Sequence, residues 1–461
     1  MIHVEIRPGA YADSVTLLQI SGDVSLLPGV HRAQVAMATP LNLEVLAGMG
    51  FEVPDCTPND LVVAIDADDV APALAAVTAA LTSRRPAAEA QDVAARTTRS
   101  ALRDGGDLVL VSVPGASATV EAMDALEAGC DVMIFSDNVS LEEEVALKQY
   151  AATRQLLVMG PDCGTAVVGG VGLGFANVVG PGPVALVAAS GTGCQQVLAL
   201  LDAAGVGVSH ALGVGGRDLS SAVAGLATRE ALRRLDADPS VEHIVLISKP
   251  PAPEVADALS TYTSTLSTPV SLALLGPGQP DLTAATERVL DDLKDLVRGT
   301  PAWPVRGQAA PARPGKLRGL FVGGTLCTEA ALIAAETLPS DAFSMVDFGD
   351  DEYTAGRAHP MIDPTLRTTH LTEALSDPTT GAVLLDVVLG HGAETDPAAG
   401  LAPHIMAPML ASAPVPVVVS CVGTSADPQG WEAQATALAD AGAEVYLSNA
   451  QAARRAVELV T

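Results

Sequence analysis

The chain reads as a multidomain α/β protein: parallel sheets covered by helices, behind a small α+β module at the amino end. Three observations predict this. A length of 461 residues suggests about three domains. From residue 107 onward, strand-length apolar runs alternate with helix-period segments, the pattern of βαβ units. Two apolar runs, LLVMGPDCGT at 156–165 and VALVAASGTGCQQVLALL at 184–201, break abruptly into loops of small residues.

Residues 1–83 alternate strand and helix three times: IHVEI, DSVTLLQISGDVSLL, AQVAMAT, LNLEVLAGM, LVVAID and VAPALAAVTAALT. The LPGVHRAQVAM stretch suggests a ferredoxin-like α+β module. An Ala- and Arg-rich linker leads to residue 107. In 107–180, LVLVSVPG and CDVMIFSDN are strands and SATVEAMDALEAG is an amphipathic helix with a glycine stop. The helix SLEEEVALKQYAATR opens on Ser140, with Glu143 three residues on, a capping box. LLVMGPDCG closes that unit. In 181–299 the strands are VALVAAS, VSHALGVGG, HIVLISKP and PVSLALLG. A Pro/Ala linker covers 300–316, and 317–461 begins LRGLFVGGTLCTEAALIAA, again strand, glycine loop and helix.

No apolar run reaches the roughly 18 to 20 residues of a membrane helix. Met1 runs straight into IHVEIR with no signal-peptide pattern. A soluble, cytoplasmic protein is expected. With 25 basic and 54 acidic residues, net −29, neither nucleic acid nor an anionic membrane is an expected partner. An anionic substrate would be met by local dipoles and a few cations. The six cysteines, 56, 130, 163, 194, 327 and 421, fit neither a zinc site nor a disulfide framework, and no metal is expected.

Ligands of parallel sheets bind at the carboxyl ends of strands. That rim would carry Val113–Gly115, Ser136–Asn138 and Gly160–Cys163. The first candidate is Ser190, Gly191, Thr192 and Gly193, whose amides would open a helix and attract phosphate or carboxylate. Asp162, Cys163, Gly164 and Thr165 form the neighbouring turn, as part of a site or as a capping loop. A thiol at a helix amino end has a lowered pKa, so Cys163 and Cys194 are either reactive or simply packed. Arg217 and Asp218 would hold a carboxylate or form a surface ion pair. Lys249, ending a buried strand, would neutralise an anion or snorkel to solvent. The loop YTAGRAHPMID crowds Arg357, His359 and Asp363. Arg357 suits bidentate anion binding and His359 a proton shuttle near neutral pH. His391 ends another strand, as a catalytic histidine or an ordinary hydrogen-bonding one. Asn138 completes the rim.

Residues 107–297 resemble the α-subunit of succinyl-CoA synthetase through SVPGASATVEAMDALEAG, MGPDCG, GPVALVAASGTG and GVGGRDL. Residues 317–461 resemble the carboxyl-terminal flavodoxin-like domain of its β-subunit. The resemblance implies a truncated Rossmann-like CoA-ligase-type domain over 107–180 and flavodoxin-like domains over 181–299 and 317–461. Three family parts are missing: an ATP-grasp domain, the HAGA-type phosphohistidine loop near 275–285 (here LLGPGQPDLTA), and the glycine-rich CoA turn ahead of residue 107. CoA is therefore not expected as a cofactor.

Over its whole length the chain resembles the FdrA family. The phrases are RPGAYADSVTLL, DVMIFSDNVSLEEEVALK, LVMGPDCGTA, LGFANVVGPGPVALVAASGTG, LRGLFVGGTLCTEA, FGDDEYTAGRAHPMIDP, LLDVVLGHGAETDP and SNAQA. That resemblance implies a subunit of an oxamate-type carbamoyltransferase, which turns oxalurate and phosphate into oxamate and carbamoyl phosphate. It implies small anionic metabolites as ligands and other protein subunits as partners. The alternative is an acid–CoA ligase that takes its ATP-handling part from a partner. A third reading is a scaffold or sensor that binds a metabolite without turnover.

Overall fold

The computed structural model describes residues 1–8, 10, 12, 14–83, 95–294, 302–354, 359–409 and 414–461. It divides into two units: Met1–Ala94 with Asp350–Asp363, and Ala95–Gly349 with Pro364–Thr461.

The first unit runs β1 (Ile2–Arg7), α1 (Ser14–Ser25), β2 (Val30–Met37), α2 (Pro40–Gly48), β3 (Leu61–Ala67), α3 (Val70–Ser83). β3 lies between β1 and β2, antiparallel to both, with Ile2 opposite Asp66 and Met37 opposite Leu61. Its two faces are both apolar, so both are covered. Val63 and Ile65 pack with Leu17, Ile20 and Val77, while Val62 and Ala64 pack with Leu46 and Phe51. The period of two along a strand assigns these residues to opposite faces. The six-element order expected from the sequence is the one found.

The second unit opens with α4 (Thr98–Ala101), then β4 (Leu108–Val111), α5 (Gly115–Glu127), β5 (Asp131–Ile134), α6 (Leu141–Ala152) and β6 (Val158–Met159). β4, β5 and β6 form a three-stranded parallel sheet. The Ser140–Glu143 capping box is formed at α6. The hairpin β7 (Thr165–Val168) and β8 (Val171–Gly174) follows. The sequence boundary grouped it with 107–180, yet β7 pairs antiparallel with the next sheet.

That sheet is built on β9 (Val184–Ala189), α7 (Gly191–Ala203), β10 (Val208–Gly213), α8 (Leu226–Asp236), β11 (His243–Ser248), α9 (Pro253–Thr263), β12 (Val270–Leu274) and α10 (Leu282–Asp292). Its order is β12-β11-β9-β10-β7-β8. The last sheet comprises β13 (Val305–Arg306), β14 (Lys316–Phe321), α11 (Gly324–Ala335) and β15 (Phe343–Asp347). After α12 (Asp351–Thr354), which belongs to the first unit, come α13 (Thr365–Ser376), β16 (Thr380–Val388), α14 (Pro397–Met409), β17 (Val417–Val422), α15 (Trp431–Asp440), β18 (Glu444–Tyr446) and α16 (Asn449–Val460). Its order is β13-β18-β17-β16-β14-β15.

Both sheets are doubly wound. In each, the first strand has its successor on one side and the third strand on the other. Strand order therefore reverses between β9 and β11, and again between β14 and β16. Such a reversal opens a crevice at the strand ends where ligands bind. α7 is buried nearly all round, with Gly193–Leu201 all out of solvent, as befits a helix inside a core. Its two glutamines are satisfied by the last domain: Gln195 Nε2 donates to Leu389 O at 3.0 Å and Gln196 Nε2 to Leu447 O at 3.1 Å.

Candidate functional site

The glycine loops after β9 and β14 meet. Ser190 stands in extended conformation ahead of α7, and its Oγ accepts from Gly193 N at 2.9 Å. A cap of this kind stabilises a helix by about 1 kcal/mol. The same hydroxyl donates to Thr325 Oγ1 at 2.6 Å, joining the first turn of α7 to that of α11. A Cβ on Gly193 would lie 3.0 Å from Thr325 Cγ2, and one on Gly323 would lie 2.8 Å from Thr192 Oγ1. The two turns touch because both positions lack side chains.

α11 has no hydroxyl cap. Instead the buried Asp386 carboxylate reaches from β16 and accepts from Val322 N and Gly323 N, both at 2.8 Å. Among the described residues, the amides of Gly191 and Thr192 in α7 and of Gly324 and Thr325 in α11 have no acceptor. Each helix amino end carries roughly half a positive charge, so two such ends in contact repel, and an anion between them lowers that repulsion.

Lys249 follows β11, whose Ser248 is paired with Ala189, so it stands beside the Ser190 turn. A Cβ on Gly324 would collide with Asp347 Oδ2 and lie 2.6 Å from Lys249 Nζ. Among the described residues Lys249 Nζ has neither a hydrogen bond nor an ion pair. The Asp347 carboxylate accepts from Gly349 N at 2.9 Å through its other oxygen. Burial pushes Asp386 up to about 6, against the pull of Arg367 and the two amides. Burial, with Asp347 and Asp386, pushes the Cys327 thiol in the same turn up to about 12.

The structure brings Ser190, Gly191, Thr192, Gly193 and Lys249 together and adds Thr165. A Cβ on Gly191 would lie 3.5 Å from Thr165 Oγ1, which itself donates to Phe175 O at 3.3 Å. Gly164 O accepts from Phe175 N at 2.7 Å. Cys163 beside them is 2% exposed, and burial with the Asp162 charge pushes its thiol up to about 12. Burial and the Asp162 charge oppose a thiolate there, which disfavours the catalytic reading and favours the packed one. Burial raises Cys194 likewise. Asp162 and Asn138 stand on the rim in left-handed conformation, φ 55° and 54°.

Arg217 forms an ion pair, one of the two alternatives expected, while Asp218 is an interior residue. Asp218 is fully buried, accepts from Lys148 Nζ at 2.8 Å and from Thr228 N at 2.9 Å, and holds the start of α8. Arg217 Nε donates to buried Glu144 at 2.8 Å, and its Nη2 donates to Val139 O. Both are taken up by protein partners, because α6 brings Glu144 and Lys148 between them. His391 is exposed, and its backbone N donates to Ala176 O at 2.9 Å.

In the first unit, burial lowers His359 to about 4, and its Nδ1 accepts from Met361 N at 3.2 Å. Its charge change falls well below neutral pH, which corrects the expected titration. Arg357 lies outside the described residues. Sequence reasoning missed Gly323, Gly324, Thr325, Asp347, Arg367 and Asp386. The signal for the first three was the match between VGGTLC and the SGTGC loop. Among the described residues no cluster of three His, Cys, Asp or Glu side chains is placed to hold a metal, and no helix is long and apolar enough to cross a membrane.

A CoA-ligase family model matches residues 320–459, and a model described as AllF, heavy metal-associated domain, matches residues 1–98. The YahF protein of Escherichia coli strain K12 is 35% identical over 96% of this chain and 95% of its own length. The succinate–CoA ligase (ADP-forming) subunit alpha of Methanothermobacter thermautotrophicus is 26% identical over 37% of this chain and 58% of its own length. A solved apo acetyl-coenzyme A synthetase of Ca. Korarchaeum cryptofilum covers 77% of this chain and 83% of that one, at 18% identity and a TM-score of 0.31. With a CoA-ligase-type domain at its end and a full-length relative at this identity, the chain belongs to the family of YahF, a succinyl-CoA synthetase α-like family of the FdrA type.

Proposed function

We propose that this chain is an enzyme subunit that binds phosphate between the amino ends of α7 and α11, with Lys249 supplying the formal positive charge. One observation carries the reading: two helix amino ends in contact, with amides on each side and the Lys249 ammonium beside them that have no hydrogen-bond partner among the described residues. In a chain of net charge −29, two helix amino ends and an ammonium gathered at one point, even with the Asp347 carboxylate beside them, favour an anionic ligand.

The reaction we infer is carbamoyl transfer between a ureido acid such as oxalurate and phosphate. A phosphate oxygen attacks the ureido carbonyl, the amides steady the developing negative charge, and the C–N bond to the oxamate nitrogen breaks. The proton displaced from phosphate ends on that nitrogen, giving oxamate and carbamoyl phosphate. Asp347, against the Gly324 turn and beside Lys249, is the carboxyl group best placed to relay it. Relatives named as α subunits support action together with other chains.

A second reading, acid–CoA ligase, is favoured by the match of residues 320–459 to the CoA-ligase model. The two are separated by assaying carbamoyl phosphate from oxalurate and phosphate without ATP or CoA, for the chain alone and with the products of its neighbouring genes. Carbamoyl phosphate formation that disappears in Lys249→Ala supports the transferase. Thioester formed only with ATP and CoA, and no carbamoyl phosphate in any combination, supports the ligase and overturns the transferase.

A further inference from the structure

Asp386 is the only charged residue of β16, a strand whose nine residues, Thr380–Val388, are all buried. A buried ion pair adds little net stability, and apolar replacements are often neutral or better. Stability therefore does not account for a carboxylate in this strand. Its contacts do. Both oxygens grip consecutive amides, Val322 and Gly323, directly ahead of α11. That grip fixes the peptide planes leading into Gly324 and Thr325 from behind and leaves their own N–H groups unclaimed. Ser190 caps α7 from the front and consumes an amide there; α11 is held without that loss.

Arg367 is the counterweight. It is 3% exposed, and among the described residues its hydrogen bonds go to Asp386 alone: Nη1 to Oδ1 at 3.1 Å and to the carbonyl O at 2.5 Å, with Nε buried and unpartnered. It cancels the carboxylate charge, so that the amino end of α11 stays attractive to an anion. We propose that Asp386, backed by Arg367, is the positioning pair for the anion-facing amides of Gly324 and Thr325, an inference that rests on the phosphate site proposed above.

The test is calorimetric titration of the full-length chain with inorganic phosphate. Asp427 is the control: it is also buried, and it accepts from Val178 N at 2.7 Å and Thr424 N at 2.8 Å. Asp386→Asn is expected to weaken phosphate binding about tenfold or more, the value of a lost charge-assisted hydrogen bond. Asp427→Asn should keep the wild-type affinity even where its melting temperature falls as far. If Asp386→Asn does not fold, Arg367 carries the test. Arg367→Lys, which keeps the cation, should stay within about threefold of wild type, and Arg367→Met should not. Wild-type affinity in Asp386→Asn, equal loss in Asp427→Asn, or equal affinity of the two Arg367 variants overturns the positioning role alone. A wild-type chain that binds no phosphate overturns the site itself, and this pair's role with it.

Discussion

Gly324→Ala should separate binding from folding. Gly324 is the first residue of α11 and has no left-handed φ, so alanine suits the backbone there. Losing glycine's freedom in the unfolded chain stabilises by about 0.4 to 1 kcal/mol. The new Cβ would meet Asp347 Oδ2 and Lys249 Nζ. Lys249 ends a flexible chain with no described partner to lose. Asp347 would give up its bond from Gly349 N, at about 1 kcal/mol. These terms nearly cancel, so stability should change by less than about 1 kcal/mol. Phosphate binding should not survive so well. Moving the ammonium off the amino end of α11 forfeits a charge-assisted contact of about 1.5 to 3 kcal/mol, roughly ten- to a hundredfold in affinity. Gly323→Ala is the contrast. Its Cβ would press on Thr192, a β-branched side chain that cannot swing away, and should cost about 1 to 3 kcal/mol of stability. Urea denaturation and phosphate titration of both variants measure the two quantities. Wild-type phosphate affinity in Gly324→Ala, at unchanged stability, would refute the placement of Lys249 in the site.

Glu329, on the buried face of α11, accepts from Leu282 N at 2.6 Å and Asn449 Nδ2 at 2.7 Å, and burial raises it to about 7. The folded chain holds that proton more tightly than the unfolded one, so stability falls as pH rises from the ordinary 4.5 to about 7, by about 3 kcal/mol. Glu329→Gln should flatten that part of the curve in denaturant titrations at stepped pH; an unchanged slope would count against the burial. Lys148→Met should cost about 3 to 5 kcal/mol, because it strands Glu144 and Asp218, each about 1% exposed or less, without their shared cation. A loss under 1 kcal/mol would mean that Arg217 alone suffices for both.

Local signals carried most of the fold. Alternation of apolar runs with helix periods located the parallel strands of the two doubly wound sheets but not the hairpin β7–β8, and Ser140 with Glu143 marked a helix start that the capping box reproduces. The Ser190 loop was legible for the same reason, since its chemistry lies within one turn. What was not legible depends on residues far apart in sequence. Asp386 acts on Val322 and Gly323, Ser190 on Thr325, and Lys249 on Gly324. No spacing rule links such positions. Cys163 and Asp218 stayed open between two readings because a polar residue at a strand end looks the same whether it faces solvent or, as here, the interior.

The burial of α7 has a mechanical consequence. One helix fills the cores of both doubly wound domains, and Gln195 and Gln196 are bonded to Leu389, Leu447 and Asn449 on the far side. Sliding one domain past the other would tear these bonds open in a place water does not reach. These bonds oppose any opening of the two domains like jaws on a substrate. Their shared seam is bonded through before any ligand arrives.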